Sequence, residues 1–216
     1  MMKDMAFPIS NSQQTPASEN PTSPKKPRSL LKNSLFFVAE IAEIIIISLA
    51  IIIPIRYFLV QPFYVRGASM VPNFQDKEYL IVDELSYRFS APKRGEVVVF
   101  KYPVDIKQYF IKRIVALPGE SVTIGAGKIL VVNDEYPGGI FLDEEYLEEG
   151  VSTYGEITIN LGEDEYVVLG DNRKSSLDSR NFGTLSRELI VGKVWLRGWP
   201  IDRAGVFEKP AYAGLE

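Results

Sequence analysis

One uninterrupted apolar run, Ser34 to Val60, constrains the architecture of this chain more than any other feature of its sequence. It reads SLFFVAEIAEIIIISLAIIIPIRYFLV and supplies the ~20 apolar residues that a helix needs to cross a bilayer. Glu40 and Glu43 oppose this interpretation, because each would cost roughly 3 kcal/mol at the bilayer centre. A helix from Glu43 to Val60 rises about 25 Å, so both acids can lie at one interface. A buried core helix is the alternative, and the isoleucine runs without a polar face argue against it.

The charges before this run predict its orientation. Four cations cluster just before it: Lys25, Lys26, Arg28 and Lys32. The positive-inside rule assigns such a cluster to the cytoplasm. We therefore predict a disordered cytoplasmic tail over residues 1–33, a signal anchor over residues 34–60 and an extracytoplasmic domain over residues 61–210. No small-x-small cleavage site follows the run, so we expect a permanent, single-pass anchor in the plasma membrane.

Composition narrows the chemistry that is open to the chain. Cysteine is absent, which rules out disulfides and thiolate metal sites, and histidine is absent as well. Without histidine, Ser-His-Asp catalysis, Cys-His catalysis and His-ligated zinc are all excluded. The net charge of −4 argues against a nucleic-acid partner. We expect no cofactor and no metal, and any serine nucleophile must use another base, for which lysine is the obvious candidate.

Beyond Phe63 the pattern changes to short β-type runs that are separated by turn residues. The clearest are EYLIVDELSY, GEVVVFKY, YFIKRIVAL, SVTIGAGKILVVN, GEITIN and EYVVLG. Only LSRELIVG favours a turn or two of helix. The pattern predicts a mainly β chain, in which a single N-terminal transmembrane helix precedes an all-β barrel or folded sheet.

A lysine in one of these runs has an unusual setting. Side chains two apart share one face of a strand, so Lys112 points the same way as Phe110 and Ile114. Arg113 points the other way. A lysine that snorkels from an edge strand to water explains this pattern, and so does a lysine that burial keeps neutral to act as a base.

Two further segments depart from ordinary strand sequence. RGASMVPNF, Arg66 to Phe74, combines small residues with a serine and a proline, although Ser69 would more often be a plain turn serine. GDNRKSSLDSR, Gly170 to Arg180, packs charged and hydroxyl groups into one loop, which is also typical of a solvated turn. Taken together with the lysine strand, they predict a serine nucleophile that a neutral lysine activates.

These segments carry a resemblance to a known family. The chain resembles the bacterial-type (type I) signal peptidases, membrane-anchored serine peptidases that remove signal peptides from exported preproteins. The similarity runs in order through GASMVP, RGEVVVF, FIKRIVALPGE, GDNRKSSLDSR and VGKVWLRGWP. It implies that Ser69 attacks the scissile carbonyl and forms an acyl-enzyme, and that Lys112 is the general base. A base works best with a pKa near the working pH, so we expect Lys112 at roughly 8 to 9.

The resemblance also implies supporting and substrate-binding residues. Ser176 would hydrogen-bond the Lys112 amine, while Asp178 would pair with Arg180 and Asp171 with Arg113. Substrates of this class carry small residues at positions −1 and −3 before the cut, and would lie extended against an edge of the site. The pockets that receive them would be lined by Val65, Met70, Phe74, Phe110 and Ile111.

Two positions depart from the family pattern. Gly67 stands where many members have a serine that helps the oxyanion hole, which leaves the Ser69 amide as the evident donor. Asn73 replaces a common threonine. Two other classes share some of these features: the self-cleaving repressors, which use the same catalytic pair, and a membrane-anchored scaffold with an inactive peptidase site. The anchor and the absence of a DNA-binding segment argue against the first, and the intact serine and lysine argue against the second.

Overall fold

A computed structural model describes residues 30–58, 60–210 and Tyr212 of the chain. Nearly all of the tail predicted over residues 1–33 therefore lies outside the described residues. The apolar run forms helix α1, Leu30–Phe58, which begins four residues before the predicted anchor. The first strand begins at Val60, two residues after the end of α1. Pro62 prevents the helix from continuing through this segment, because it has no amide hydrogen to donate and keeps Gln61 extended.

Helix α1 has the properties of a membrane anchor. Among the described residues it is the one helix long and apolar enough to span a bilayer, over Phe36–Pro54. None of that stretch is buried within the protein. So much apolar surface is strongly unfavourable in water, which fits a helix that is covered by lipid.

The residues after α1 form a mainly β domain, as the sequence predicted. Its strands are β1 Val60–Tyr64, β2 Tyr79–Asp83, β3 Val97–Tyr102, β4 Asp105–Ala116, β5 Ser121–Gly125, β6 Lys128–Val132, β7 Ile140–Phe141, β8 Ile157–Asn160, β9 Glu165–Leu169, β10 Leu185–Ser186, β11 Ile190–Trp199 and β12 Gly205–Val206. One short helix, α2, spans Ser179–Phe182. The predicted turn in LSRELIVG is a 3-10 turn at Arg187–Leu189.

The strands pair into two antiparallel sheets. The larger has the order β1-β2-β11-β3-β4-β9-β10, with β12 on β11, and the smaller has the order β7-β6-β5-β8. The apolar core of the smaller sheet, around Val122, Ile124, Ile129 and Val131, is continuous with buried residues of β4 and β9. It is the small accessory unit of the domain, inserted between β4 and β9.

Strand β4 changes its surroundings halfway along, and this change creates the site. It pairs with β3 from Asp105, opposite Tyr102, to Arg113, opposite Val97. Its pairing with β9 begins only at Arg113, opposite Leu169. Residues 105–112 therefore have one edge to which no described strand pairs. The side chains change from mostly exposed to buried at Lys112, where this open edge ends.

Candidate active site

Ser69 lies on the connection between β1 and β2, residues 65–78, which is the serine turn. Within the turn, the Phe74 amide donates to the Met70 carbonyl at 2.8 Å, and the Val71 amide donates to the Ala68 carbonyl at 3.2 Å. Met70 and Phe74 are buried in an apolar cluster with Leu80, Val82 and Val99. Met70 and Phe74, which the resemblance assigns to the substrate pockets, are buried beneath the turn and are not among the residues that line the groove in this structure.

Lys112 meets Ser69 across the turn. Its Nζ donates to Ser69 Oγ at 2.7 Å and to the Ile111 carbonyl at 2.7 Å. The residue is only 3% exposed, and Nζ lies 5.3 Å from the centre of the Phe110 ring. The nucleophile candidate and the base candidate are thus in direct hydrogen-bond contact in a largely dry environment.

Burial makes Lys112 a usable base near neutral pH. Removal of its ammonium from water lowers the pKa of Lys112 from 10.5 to about 8, although the negative charges of Asp178 and Asp171 act in the opposite direction. This value agrees with the range expected from the sequence. A snorkelling lysine would have its ammonium in water, so the first of the two explanations for this strand does not apply.

Arg113, the next residue on β4, points away from Lys112 and makes a bidentate ion pair. Its Nε donates to Asp171 Oδ1 at 2.9 Å and its Nη2 donates to Asp171 Oδ2 at 2.7 Å. Both side chains are buried. The pair predicted from the sequence is formed, and it joins the strand of the lysine to the loop that follows β9.

Asp178 anchors the other end of that loop. It caps α2 by accepting from the Arg180 amide, and it accepts two bonds from the Arg180 guanidinium, each at 2.8 Å. Burial alone would raise the pKa of Asp178, but the hydrogen bonds from Arg180 and from the Gly170 amide hold it below its usual value. Asp178 is therefore a fixed negative charge near Lys112.

The loop after β9 touches the serine turn directly. The Asn172 amide donates to the Ser69 carbonyl at 3.0 Å, and Asn172 Nδ2 donates to the Ala68 carbonyl at 3.0 Å. Gly170 permits this approach, since a Cβ at that position would lie 2.5 Å from the Ser69 carbonyl oxygen. The glycine and the asparagine of GDN thus join two segments that are separated by a hundred residues in sequence.

Ser176 does not make its predicted hydrogen bond. Its Oγ is buried and Lys112 is not its partner; a hydrogen bond from Ser176 helps to lower the pKa of Asp178. Lys112 instead donates to Ser69 and to the Ile111 carbonyl. Ser176 Oγ lies against Gly170, close to the fixed carboxylate of Asp178. It therefore packs beside the pair without completing it.

Asn73 has a contact that explains the departure from threonine. Its single Nδ2 donates to Asp171 Oδ2 at 2.8 Å and to the Tyr146 carbonyl at 2.9 Å. The hydroxyl of threonine has one hydrogen to donate, whereas the side-chain amide of asparagine has two. Asn73 thus links the serine turn to both the Asp171 loop and the accessory unit.

A groove of about 510 Å³ opens above the serine and the lysine. Val65, Phe110 and Ile111 line it, as predicted, together with residues that the sequence did not single out. These are Phe63, Tyr64, Arg66, Leu80, Val99, Gln108, Tyr109, Ser175 and Leu177. The alternation of Phe63 and Val65 directly after the anchor was a usable signal for one wall of the groove. Leu80 and Val99 gave no such signal, because they lie within ordinary buried strands.

A β domain in which a serine turn meets a buried lysine of lowered pKa, beneath an apolar groove, is the arrangement expected of a serine peptidase that works without histidine. Residues 38–199 match the family model for signal peptidase, peptidase S26. The chain therefore belongs to the signal peptidase family S26 and is a serine endopeptidase of the signal peptidase type.

Several relatives match most of the chain. A probable signal peptidase I-2 of Synechocystis sp. is 35% identical over 179 residues, which cover 80% of this chain and 78% of the relative. The signal peptidase I of Leptolyngbya laminosa is 33% identical over 171 residues, 76% of this chain and 81% of its own. That of Bacillus caldolyticus is 34% identical over 170 residues, 73% of this chain and 89% of its own.

Proposed function

We propose that this chain removes N-terminal signal peptides from exported preproteins, with Ser69 as the nucleophile and Lys112 as the general base. The observation that carries the proposal is the 2.7 Å hydrogen bond between Ser69 Oγ and Lys112 Nζ, formed where burial lowers the lysine pKa to about 8. A serine hydroxyl is a weak nucleophile until an adjacent base accepts its proton. The neutral amine of Lys112 is such a base.

The proton then moves through one lysine in both halves of the reaction. Ser69 Oγ attacks the scissile carbonyl while Nζ accepts its proton, and a tetrahedral intermediate forms. Nζ then donates that proton to the departing amine, which leaves Ser69 acylated by the signal peptide. In the second half, Nζ accepts a proton from water, the hydroxide attacks the acyl carbon, and the proton returns to Ser69 Oγ.

The Ser69 amide is available to stabilise the oxyanion. Among the described backbone groups it donates to no carbonyl, whereas the Gly67 amide is already bonded to Asp76 Oδ1 at 2.8 Å. A backbone amide next to the attacking oxygen is the usual donor in such sites. Gly67 has a φ of +92°, a conformation in which a serine side chain would be strained.

The open edge of β4 supports binding of an extended substrate. Gln108 to Lys112 line one side of the groove, and Phe63 to Gly67 line the other. No described strand pairs with the outer edge of β1, or with the edge of this half of β4 that faces away from β3. A peptide added as a strand would bond to such backbone and would direct alternate side chains into the groove floor.

The groove floor supports selection for small side chains at positions −1 and −3. Val65, Leu80, Val99 and Ile111 fill it with branched apolar groups. Such a floor leaves shallow depressions, and a large side chain would have to displace buried neighbours, which costs roughly 1–3 kcal/mol.

We infer the topology from the sequence and from α1. One membrane-spanning helix over Phe36–Pro54, preceded by a cationic cluster, supports a cytoplasmic tail and an extracytoplasmic catalytic domain in the plasma membrane. Protease added outside intact cells should then degrade the domain and leave the tail protected. Protection of the domain would contradict this orientation.

Cleavage of a preprotein tests the proposed function directly. The full chain, in detergent, is incubated with a preprotein, and the new N-terminus is mapped by mass spectrometry. We expect one cut after a small residue, lost in Ser69→Ala and retained in the control Ser90→Ala, whose hydroxyl bonds only its own turn. A scaffold would leave the preprotein uncut, and its Ser69 would not react with a serine-directed acylating inhibitor. A repressor-type peptidase would cleave its own chain and leave the preprotein uncut.

A further inference from the structure

A buried carboxylate lies behind the serine turn, away from the groove. Glu78, at the end of that turn, is 1% exposed. Its Oε1 lies 3.2 Å from Arg197 Nη1 and 2.8 Å from Arg203 Nη1. Both arginines come from the far end of the domain, in the WLRGWPIDR segment, to which neither the catalytic chemistry nor the groove assigns a role.

The same two arginines also hold the backbone of the serine turn. Arg197 Nη2 donates to the Asn73 carbonyl at 2.7 Å, and Arg203 Nη2 donates to the Pro72 carbonyl at 3.3 Å. These consecutive carbonyls lie three and four residues after Ser69. Each guanidinium thus bridges the Glu78 carboxylate and one carbonyl of the turn.

Packing leaves Arg197 little freedom to move. Its guanidinium carbon lies 5.5 Å from the centre of the Phe74 ring and 4.7 Å from that of the Phe207 ring. A planar guanidinium that packs beside two aromatic rings, forms an ion pair with a carboxylate and donates to a carbonyl is a rigid spacer. Lysine could replace the charge but not this geometry.

The turn is therefore held at two places along its chain. Asn172, in the loop after β9, bonds the Ala68 and Ser69 carbonyls, and the arginines bond the two carbonyls that lie three and four residues after Ser69. Apolar residues would stabilise such a site as well as buried charges do, because they carry no desolvation penalty. The gain from the charges is a fixed position, and in catalysis a displacement of about 1 Å can reduce the rate about a hundredfold.

We propose that Glu78, Arg197 and Arg203 form a clamp that positions the Ser69 turn against Lys112, so that all three are positioning residues for the peptidase reaction. This inference rests on the proposed role of Ser69 as the nucleophile. It gives the C-terminal WLRGWPIDR segment a function in acylation, although it touches neither the substrate groove nor the reacting atoms.

The acylation rate of Ser69 separates positioning from stability. The full chain in detergent is treated with a serine-directed acylating inhibitor, and both the rate constant and the final labelled fraction are measured. The final fraction reports how much protein is folded, and the rate constant reports the geometry of the folded site. The variants are Arg197→Lys, Arg203→Met and Glu78→Gln, and Arg203→Met should fold because that side chain is 29% exposed.

Arg94→Met is the matched control. Arg94 and Glu120 form an equally buried ion pair, and Arg94 donates to the Val115 carbonyl, away from the serine turn. We expect the clamp variants to acylate at least about tenfold more slowly, with an unchanged acid limb near pH 8, while Arg94→Met loses thermal stability but keeps its rate constant.

Two results would overturn this inference in distinguishable ways. In the first, the clamp variants keep the wild-type acylation rate constant and show only a lower melting temperature and a lower final labelled fraction. In that case the three residues stabilise the fold and do not position Ser69. If the wild-type chain is not acylated at Ser69 at all, the proposed function fails, and the inference fails with it.

Discussion

Cleavage by this enzyme should follow the ionisation of one buried lysine. Burial lowers the pKa of Lys112 from 10.5 to about 8, which corresponds to about 3 kcal/mol of differential interaction. At pH 7 an unperturbed lysine would be neutral in about one molecule in 3,000, whereas a lysine of this pKa is neutral in about one in ten. The folded environment thus raises the population of the active base about 300-fold.

The assay is kcat/KM for preprotein cleavage between pH 5.5 and pH 10, at constant ionic strength. Below pH 8 we expect kcat/KM to fall about tenfold for each pH unit, because only the neutral amine can accept the Ser69 proton. Above pH 8 the profile should level off. An acid limb near the value of a free lysine, or a flat profile, would refute the reasoning.

Substitution of the lysine tests the same point without a change of pH. Lys112→Arg keeps a positive charge but cannot release a proton, so kcat/KM should fall roughly a thousandfold or more, as when other serine peptidases lose their base. Lys107→Arg, at an exposed position of the same strand, is the control and should cleave normally. Near-normal cleavage by Lys112→Arg would reject Lys112 as the base.

The lowered pKa also predicts the pH dependence of stability. The fold disfavours the ammonium, so wild type carries the full penalty of about 3 kcal/mol below pH 8 and loses it as pH rises towards 10.5. Lys112→Met has no such penalty. The melting temperature of wild type relative to Lys112→Met should therefore rise between pH 8 and pH 10, and a constant difference would show that Lys112 is not buried as described.

Three further substitutions test the surroundings of the pair. Asp178→Asn removes a charge that raises the Lys112 pKa, so the acid limb of kcat/KM should move below pH 8; a limb that moves up would contradict this electrostatic account. Gly170→Ala places a Cβ 2.5 Å from the Ser69 carbonyl oxygen and should lower kcat at least about tenfold, and a wild-type kcat would show that the loop can retreat freely. Gly67→Ser meets open space but a φ of +92°, so we expect a loss of about 1 kcal/mol in unfolding free energy and no gain in kcat; a higher kcat would instead identify the new hydroxyl as an oxyanion donor.

Local pattern was sufficient for the coarse architecture and for the chemistry. The apolar run predicted α1 because helix length and bilayer thickness are matched by residue count alone. The β-type runs predicted β2, β3, β4, β5, β6, β8 and β9 because alternation within a strand is a property of neighbouring residues. The absence of histidine directed attention to lysine, and the family motifs then indicated Ser69 and Lys112.

The side chains that lie elsewhere than the family motifs suggest are all placed by distant parts of the chain. Met70 and Phe74 were predicted to line pockets, yet they pack into the core beneath the turn. Ser176 was predicted to bond Lys112, yet its Oγ lies against Gly170. Motif spacing gives the order of these residues, but not the direction in which each side chain points once the loops have closed.

Burial of the lysine was likewise decided by the tertiary structure. Alternation places Lys112 on one face with Phe110 and Ile114, but does not say whether that face is covered. It is covered because the serine turn, held by Asn172 and by the proposed arginine clamp, closes over Nζ. The pKa of an amine depends on the water it loses, and only the packing of segments far apart in sequence removes that water.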